Sequence, residues 1–269
     1  MISVPGLISP IAVQLGPFAI HWYGIVYALS FIMCHQWVKH RIKTQSISII
    51  DVSQWEELLQ LLVFGLLIGG RLGYVVFYQT HWLLDPVKII SIWQGGMSFH
   101  GACMGIFVVV SWFAYRHRCS VVDLFDALLP FIPLSLFLGR IANFINGELP
   151  GRITDVPWAV IFKHIDQLPR HPSPLYEALG EGVVLGAILY FISRYKRKGM
   201  VSSVFLMAYG GIRFVLEFFR EPDIQIGYIA SYFTLGQMFC VVMVVMGMVV
   251  WSVVFMSELA YSKHQQKAQ

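Results

Sequence analysis

Seven stretches of this 269-residue chain are each long and apolar enough to cross a lipid bilayer: 18–38, 57–78, 97–115, 122–141, 175–193, 201–219 and 235–256. A crossing needs about 20 mostly apolar residues. Inside lipid a segment must satisfy its own main-chain hydrogen bonds, so each stretch is expected to be a helix. The expected fold is an all-α polytopic membrane protein with seven transmembrane helices, a single integral membrane domain over residues 1–269. Charged residues make up only 13% of the chain, where a soluble domain carries roughly a quarter.

An odd number of spans puts the termini on opposite sides. Eleven basic residues fall on one side: Lys39, Arg41, Lys43, Arg116, Arg118, Arg194, Lys196, Arg197, Lys198, Lys263 and Lys267. Five fall on the other: Lys88, Arg152, Lys163, Arg170 and Arg220. The positive-inside rule then places the N-terminus outside and the C-terminus in the cytoplasm. The net charge of +4 is thus a topology signal, and no nucleic-acid partner is expected. No Lys or Arg precedes the first apolar run, so a cleaved signal peptide is not expected. Residues 146–174 form a long outer loop with five prolines, read as a small irregular periplasmic subdomain, and the run 157–162 is expected to hold a short strand. Cys34, Cys103, Cys119 and Cys240 form no CxxC pair and read as small buried residues, with no metal site or cofactor expected.

Three basic residues remain, Arg71, Arg140 and Arg213, and all lie in or at the ends of apolar spans. A guanidinium at mid-membrane costs at least ~2.5 kcal/mol. Three of them, with acidic residues nearby, point to a polar internal cavity. Glycines at four-residue spacing (Gly65, Gly69 and Gly73; Gly101 and Gly105; Gly182 and Gly186) are suited to close helix packing around it.

The segment from Gly139 to Arg152 is the richest in chemistry. Arg140 and Asn143 are three residues apart and share a helix face. With Glu148 and Gly151 they suit a phosphate head group at the outer surface. Tyr209, Arg213, Glu217 and Arg220 follow at steps of four, four and three, which places them on one face of the sixth helix. Glu217 is positioned to pair with Arg213. His100, flanked by Gly95, Gly96 and Gly101, is a candidate base because imidazole titrates near neutrality. Tyr23, Asp126 and the stretch from His171 to Glu177 serve equally well as interhelical hydrogen-bonding groups. An intramembrane protease would need a GxSxG elbow or facing aspartates, and neither is present. A transporter or channel for an anion is the alternative, but it favours internal symmetry that the chain lacks.

At these residues the chain resembles the prolipoprotein diacylglyceryl transferase family. Gly139 to Arg152 is close to that family's signature. Further motifs follow in the family's order: His21 to Gly24, Gly70 to Tyr74, Gly95 to Gly101, Asp126 with Pro130 and Pro133, His171 to Glu177, and Tyr209 to Arg220. Ala142, Pro150 and Pro174 depart from the usual pattern. The resemblance implies a bacterial inner-membrane enzyme without a cofactor. It would move the diacylglyceryl group of phosphatidylglycerol to the lipobox cysteine thiol of a prolipoprotein signal peptide, releasing glycerol 1-phosphate. It also implies that Arg140 binds the phosphate, joined by Tyr23, His100, Asn143, Glu148, Gly151, Arg213 and Glu217, with Tyr209, Arg220, Arg71 and Asp126 in support.

Overall fold

A computed structural model describes residues 2–4, 11–15, 18–92, 95–162, 165–195, 197–221, 228–229 and 233–267. The chain divides into two compact units, residues 1–34 with 128–269, and residues 35–127.

The smaller unit is built on a helix pair, α2 (Val52–Tyr78) and α4 (Phe99–His117). Asp51 starts α2 with a capping box: its carboxylate accepts from the Gln54 amide at 2.8 Å, and the Gln54 side chain accepts from the Asp51 amide at 3.0 Å. Ser98 caps α4 by accepting from the Gly101 amide at 3.2 Å. The expected glycine seam lies between these helices. A Cβ added at Gly69 would come within 2.5 Å of the Gly101 carbonyl, and one at Gly73 within 2.6 Å of the Gly101 Cα. The two backbones therefore touch along the Gly65, Gly69 and Gly73 row, as small residues allow. Between α2 and α4 run a 3₁₀ turn (Thr80–Leu84) and the short α3 (Pro86–Ile90).

The larger unit carries the remaining long helices. α5 (Val121–Leu128), which starts in the smaller unit, leads through a 3₁₀ turn (Leu129–Phe131) into α6 (Ile132–Asn146), so that one apolar stretch runs from Val121 to Asn146. The break falls at Pro130 and Pro133, where a missing amide and a bulky ring interrupt the helical ladder. α7 (Ser173–Glu177) passes through a π-helical segment (Ala178–Val184) into α8 (Leu185–Ile192). Pro174, a departure from the family pattern, lies in the first turn of α7, where no amide is needed. α9 (Met200–Leu216) and α10 (Leu235–Lys267) pack along their length, with Gly210 against the Cys240 carbonyl and Gly247 against Ser203 and Met207. Leu185, Leu189 and Val201 centre a buried cluster with Leu136, Phe205 and Ile212.

Among the described residues, five helical stretches meet the length and apolarity of a membrane span: Val52–Tyr78, Phe99–His117, Val121–Asn146, Ser173–Tyr195 and Leu235–Met256. They match five of the seven expected. The sixth expected span, 201–219, is the 17-residue α9, which ends at Leu216 because the chain tightens there into three-residue turns at Phe218, Phe219 and Arg220. The first, 18–38, is shifted: Phe18–His21 is a strand, β3, hairpin-paired with β2 (Ile11–Leu15), and α1 runs Trp22–Lys43. Its second half bears His35, Gln36, Lys39, His40 and Arg41, which shortens its apolar part. Large apolar side chains face outward, among them Phe64, Ile68, Leu72 and Val76 on α2 and Val241, Val245 and Val249 on α10. Exposed apolar stripes on this scale fit a lipid surround and not water.

The loop between α6 and α7 holds the expected short strand. β4 (Val160–Phe162) pairs parallel with β1 (Ile2–Val4) and antiparallel with β5 (Pro169–Arg170).

Candidate active site

Two buried glutamates on one helix organise the larger unit. Glu177 ends α7 and Glu181 lies in the π-helical segment, with side chains 2% and 0% exposed. They face Arg140 from α6 and Arg213 from α9. Arg140 reaches Glu177 Oε2 through Nη1 at 2.9 Å and Glu181 Oε2 through Nε at 3.2 Å. Arg213 Nη1 reaches Glu177 Oε1 at 2.6 Å and Glu181 Oε1 at 3.5 Å. Each carboxylate thus bridges both guanidiniums. The contact of Arg140 with Glu177 Oε2 is an ion pair without hydrogen-bond alignment, and that oxygen has no other partner. A π segment widens the helix locally and recurs at functional sites. Here it carries Glu181 into the gap between α6 and α9.

Glu217 completes the cluster. Its Oε2 accepts from Arg213 Nη2 at 2.7 Å, as the sequence spacing suggested, and its Oε1 accepts from the Thr234 hydroxyl at 3.0 Å. Thr234 and Gln237 cap the start of α10 reciprocally, at 3.0 and 3.2 Å. Glu217 therefore rests at a helix N-terminus, where the dipole favours negative charge. Tyr209 stacks on Phe205 at 5.6 Å one turn before Arg213. Arg220 departs from the expected common face: α9 has ended, and Arg220 forms a backbone bridge with Gly151.

At the far end of α6 a second, smaller arrangement forms. Gly147 takes a left-handed φ of 71° and ends the helix, which turns Glu148 back toward it. Glu148 accepts from Asn143 Nδ2 at 3.0 Å and from Asn146 Nδ2 at 3.2 Å. Leu149 follows with a φ of 54°, strained for a residue bearing a Cβ, and its carbonyl is fixed by the Ser173 hydroxyl at 2.7 Å.

By sequence Gly151 belongs with the residues suited to a phosphate head group. In the structure its backbone amide donates to the His171 carbonyl at 2.9 Å, and an added Cβ would meet Phe219 O at 2.5 Å and His171 O at 2.6 Å. Its role is close packing of three loop segments. Arg152 Nε donates to Arg220 O at 2.9 Å, and the buried Arg170 donates to Gly151 O at 3.0 Å while pairing with Asp166 and Glu221. The Arg170 guanidinium, hydrogen-bonded to Asp166, holds that carboxyl below the usual carboxylate range. Burial pushes the His171 imidazole down, and its Nδ1 lies 3.1 Å from the Tyr176 hydroxyl, which accepts from Trp158 Nε1 at 2.6 Å.

The other sequence candidates have surroundings of their own. Arg71 is buried in the smaller unit, where main-chain carbonyls of Lys88, Ile89, Gly95 and Gly96 accept from it and the Tyr74 and Trp82 rings flank it. Four carbonyls occupy that guanidinium, so it organises a loop. His100 lies in the first turn of α4, exposed, with Phe99 edge-on at 5.8 Å. Asp126 is half-buried on α5, and Tyr23 begins α1, with its side chain outside the described residues. Glu181 was missed in the sequence. Its signal was available: an acid one turn after Glu177 in an apolar run is as costly in lipid as any arginine. Among the described residues no group of three His, Cys, Asp or Glu is placed to hold a metal ion.

The arrangement can do one thing well. Two preorganised guanidiniums, kept from water, can grip a phosphate whose charge grows. Residues 10–253 match the family model described as prolipoprotein diacylglyceryl transferase. A protein of Bordetella bronchiseptica named phosphatidylglycerol–prolipoprotein diacylglyceryl transferase is 46% identical over 243 residues, 89% of this chain and 93% of that protein. Proteins of the same name from Pseudomonas entomophila and Methylococcus capsulatus are 44% and 41% identical, covering 95% and 93% of this chain and 95% and 96% of their own lengths.

Proposed function

The chain belongs to the prolipoprotein diacylglyceryl transferase family, and from that premise we propose how its residues carry the reaction. The enzyme transfers the diacylglyceryl group of phosphatidylglycerol to a prolipoprotein. The acceptor is the lipobox cysteine thiol of the signal peptide. Its sulfur attacks the glycerol carbon that bears the phosphate, the carbon–oxygen bond breaks, and glycerol 1-phosphate leaves. The nucleophile comes with the substrate, so the enzyme must bind, orient and stabilise.

Arg140 and Arg213 grip the phosphate, and their sharing of Glu177 and Glu181 is the observation that carries this reading. The shared carboxylates hold the two guanidiniums next to one another, within reach of a single phosphate. A guanidinium binds phosphate through two parallel hydrogen bonds, which a lysine cannot copy. Those bonds strengthen as the leaving phosphate gains charge. Glu217 orients Arg213, Asn143 and Glu148 shape the rim at the end of α6, and Gly151 lets the outer loop close over it. Tyr209, Tyr23, Arg220, Arg71 and Asp126 support helix and loop positions. A free thiol titrates near 8.5, so a base must help form the thiolate, and His100 is that base.

The chain lies in the bacterial inner membrane as one domain, with α1 and α9 joining the five long stretches as spans. The N-terminus and the 146–174 subdomain face the periplasm, and the C-terminus faces the cytoplasm. A transporter for an anion is not favoured, since the match to a transferase family runs nearly the length of the chain. The test is purified protein with phosphatidylglycerol and a lipobox peptide, read by mass spectrometry. A diacylglyceryl mass gain on the cysteine peptide, absent with a serine peptide, together with free glycerol phosphate, is expected. Lipid left unconsumed by a folded, inserted protein would refute the assignment.

A further inference from the structure

If Arg140 and Arg213 hold the lipid phosphate, as proposed above, the cluster around them carries too much negative charge. Two guanidiniums meet three carboxylates, Glu177, Glu181 and Glu217, all nearly sealed from solvent. The Tyr209 hydroxyl on α9 and the Cys240 thiol on α10 also face the cluster and add no positive charge. With every acid ionised the sum is one negative charge. A phosphodiester anion adds a second, and the departing monoester adds more. Uncompensated charge in a site with little water is strongly disfavoured. One acid must become neutral when the phosphate arrives.

The geometry singles out Glu181. Glu217 is held as an anion by Arg213, the Thr234 hydroxyl and the start of α10. Glu177 has the shortest ion-pair contacts to both arginines, at 2.6 and 2.9 Å, and although its Oε2 lacks an aligned hydrogen bond, the two close guanidiniums favour its carboxylate. Glu181 has the longest, at 3.2 and 3.5 Å, and its side chain is wholly buried. We propose that Glu181 takes up one proton when the phosphate of phosphatidylglycerol binds between Arg140 and Arg213, and gives it back when the glycerol phosphate leaves. Neutral Glu181 still accepts a hydrogen bond through its carbonyl oxygen, so Arg140 stays oriented. Its lost charge frees the guanidiniums to turn to the phosphate. The returning carboxylate competes with the product and speeds its release. The proton is borrowed from water and returned, so the cycle balances, and the thiol proton travels separately. Glu181 acts through the arginines and is a positioning residue.

The measurement is the affinity of the purified protein for phosphatidylglycerol in nanodiscs, without peptide, across pH. Omitting the peptide removes the thiol's own titration. In the unaltered protein Kd should rise toward alkaline pH, approaching about tenfold per pH unit where one proton is linked to binding. In Glu181→Gln, which mimics the neutral acid, Kd should be flat, and product release should slow. Glu56→Gln, in the smaller unit, should keep the slope. Infrared difference spectra of the unaltered protein should gain a protonated carboxylic acid band on lipid addition, shifted in Glu181→Asp. A pH-independent Kd with no such band, or an unchanged slope in Glu181→Gln, would overturn the proposal. Failure of the unaltered protein to lipidate the peptide would instead strike the proposed function itself.

Discussion

His100 is exposed in the first turn of α4, beside Phe99 and the left-handed Gly95 and Gly96. If it takes the thiol proton, His100→Ala should lose turnover by roughly the 10²–10⁴-fold of a general base, while phosphatidylglycerol affinity changes little. Steady-state kinetics with separate lipid binding will check this, and full turnover at neutral pH would end the base role. The arginines teach a different lesson at this scale. Arg71, Arg140 and Arg213 shared one burial cost in the sequence, each a cation in an apolar run. Carbonyls saturate Arg71, while carboxylates hold the other two. Every residue supplies a carbonyl, so no side-chain pattern could foretell the difference. The carboxylates were readable, and Glu181 escaped notice only because cations alone were weighed as expensive.

Close packing at the glycines of α2 and α4 was legible because backbone contact requires small residues at a helical interval, whereas the pairing of these two helices needed the structure. An added Cβ at Gly105 would overlap the Gly65 carbonyl, whereas one at Gly211 on α9 meets open space. Gly105→Leu should therefore lower stability by at least the ~1–3 kcal/mol typical of overpacking, and Gly211→Ala should leave it nearly unchanged. Thermal unfolding of the two variants in one detergent will compare them; equal melting would mean the seam does not bear on stability. The end of α9 and the π segment were not legible. Both depend on how main-chain bonds are shared between three, four and five residue spacings, and side-chain periodicity cannot tell these apart over one turn. The common face drawn through Arg220 failed for that reason. The capping pair Thr234 and Gln237 has the spacing of a helix start, yet Glu217's place against it required the fold.

For the whole molecule, apolar length gave the class of architecture. Among the described residues five stretches meet the length and apolarity of a span, and α1 and α9 do not meet both. A reporter fused after Gln269 should be active only as a cytoplasmic reporter, and periplasmic activity there would overturn the odd span count. The 146–174 segment was legible as a loop with one strand, while its clasp of Gly151, Arg170 and Arg220 joins residues far apart in sequence. All of these levels converge on the guanidinium that α6 carries between α7 and α9. Diacylglyceryl transfer by Arg140→Lys, in the same lipid as the parent and normalised to folded protein, tests that convergence most directly. The expected result is an inserted, folded variant slowed by about 10²–10³-fold, the loss typical of one donor to a developing oxyanion. A rate within a few-fold of the parent would contradict it and place the phosphate elsewhere.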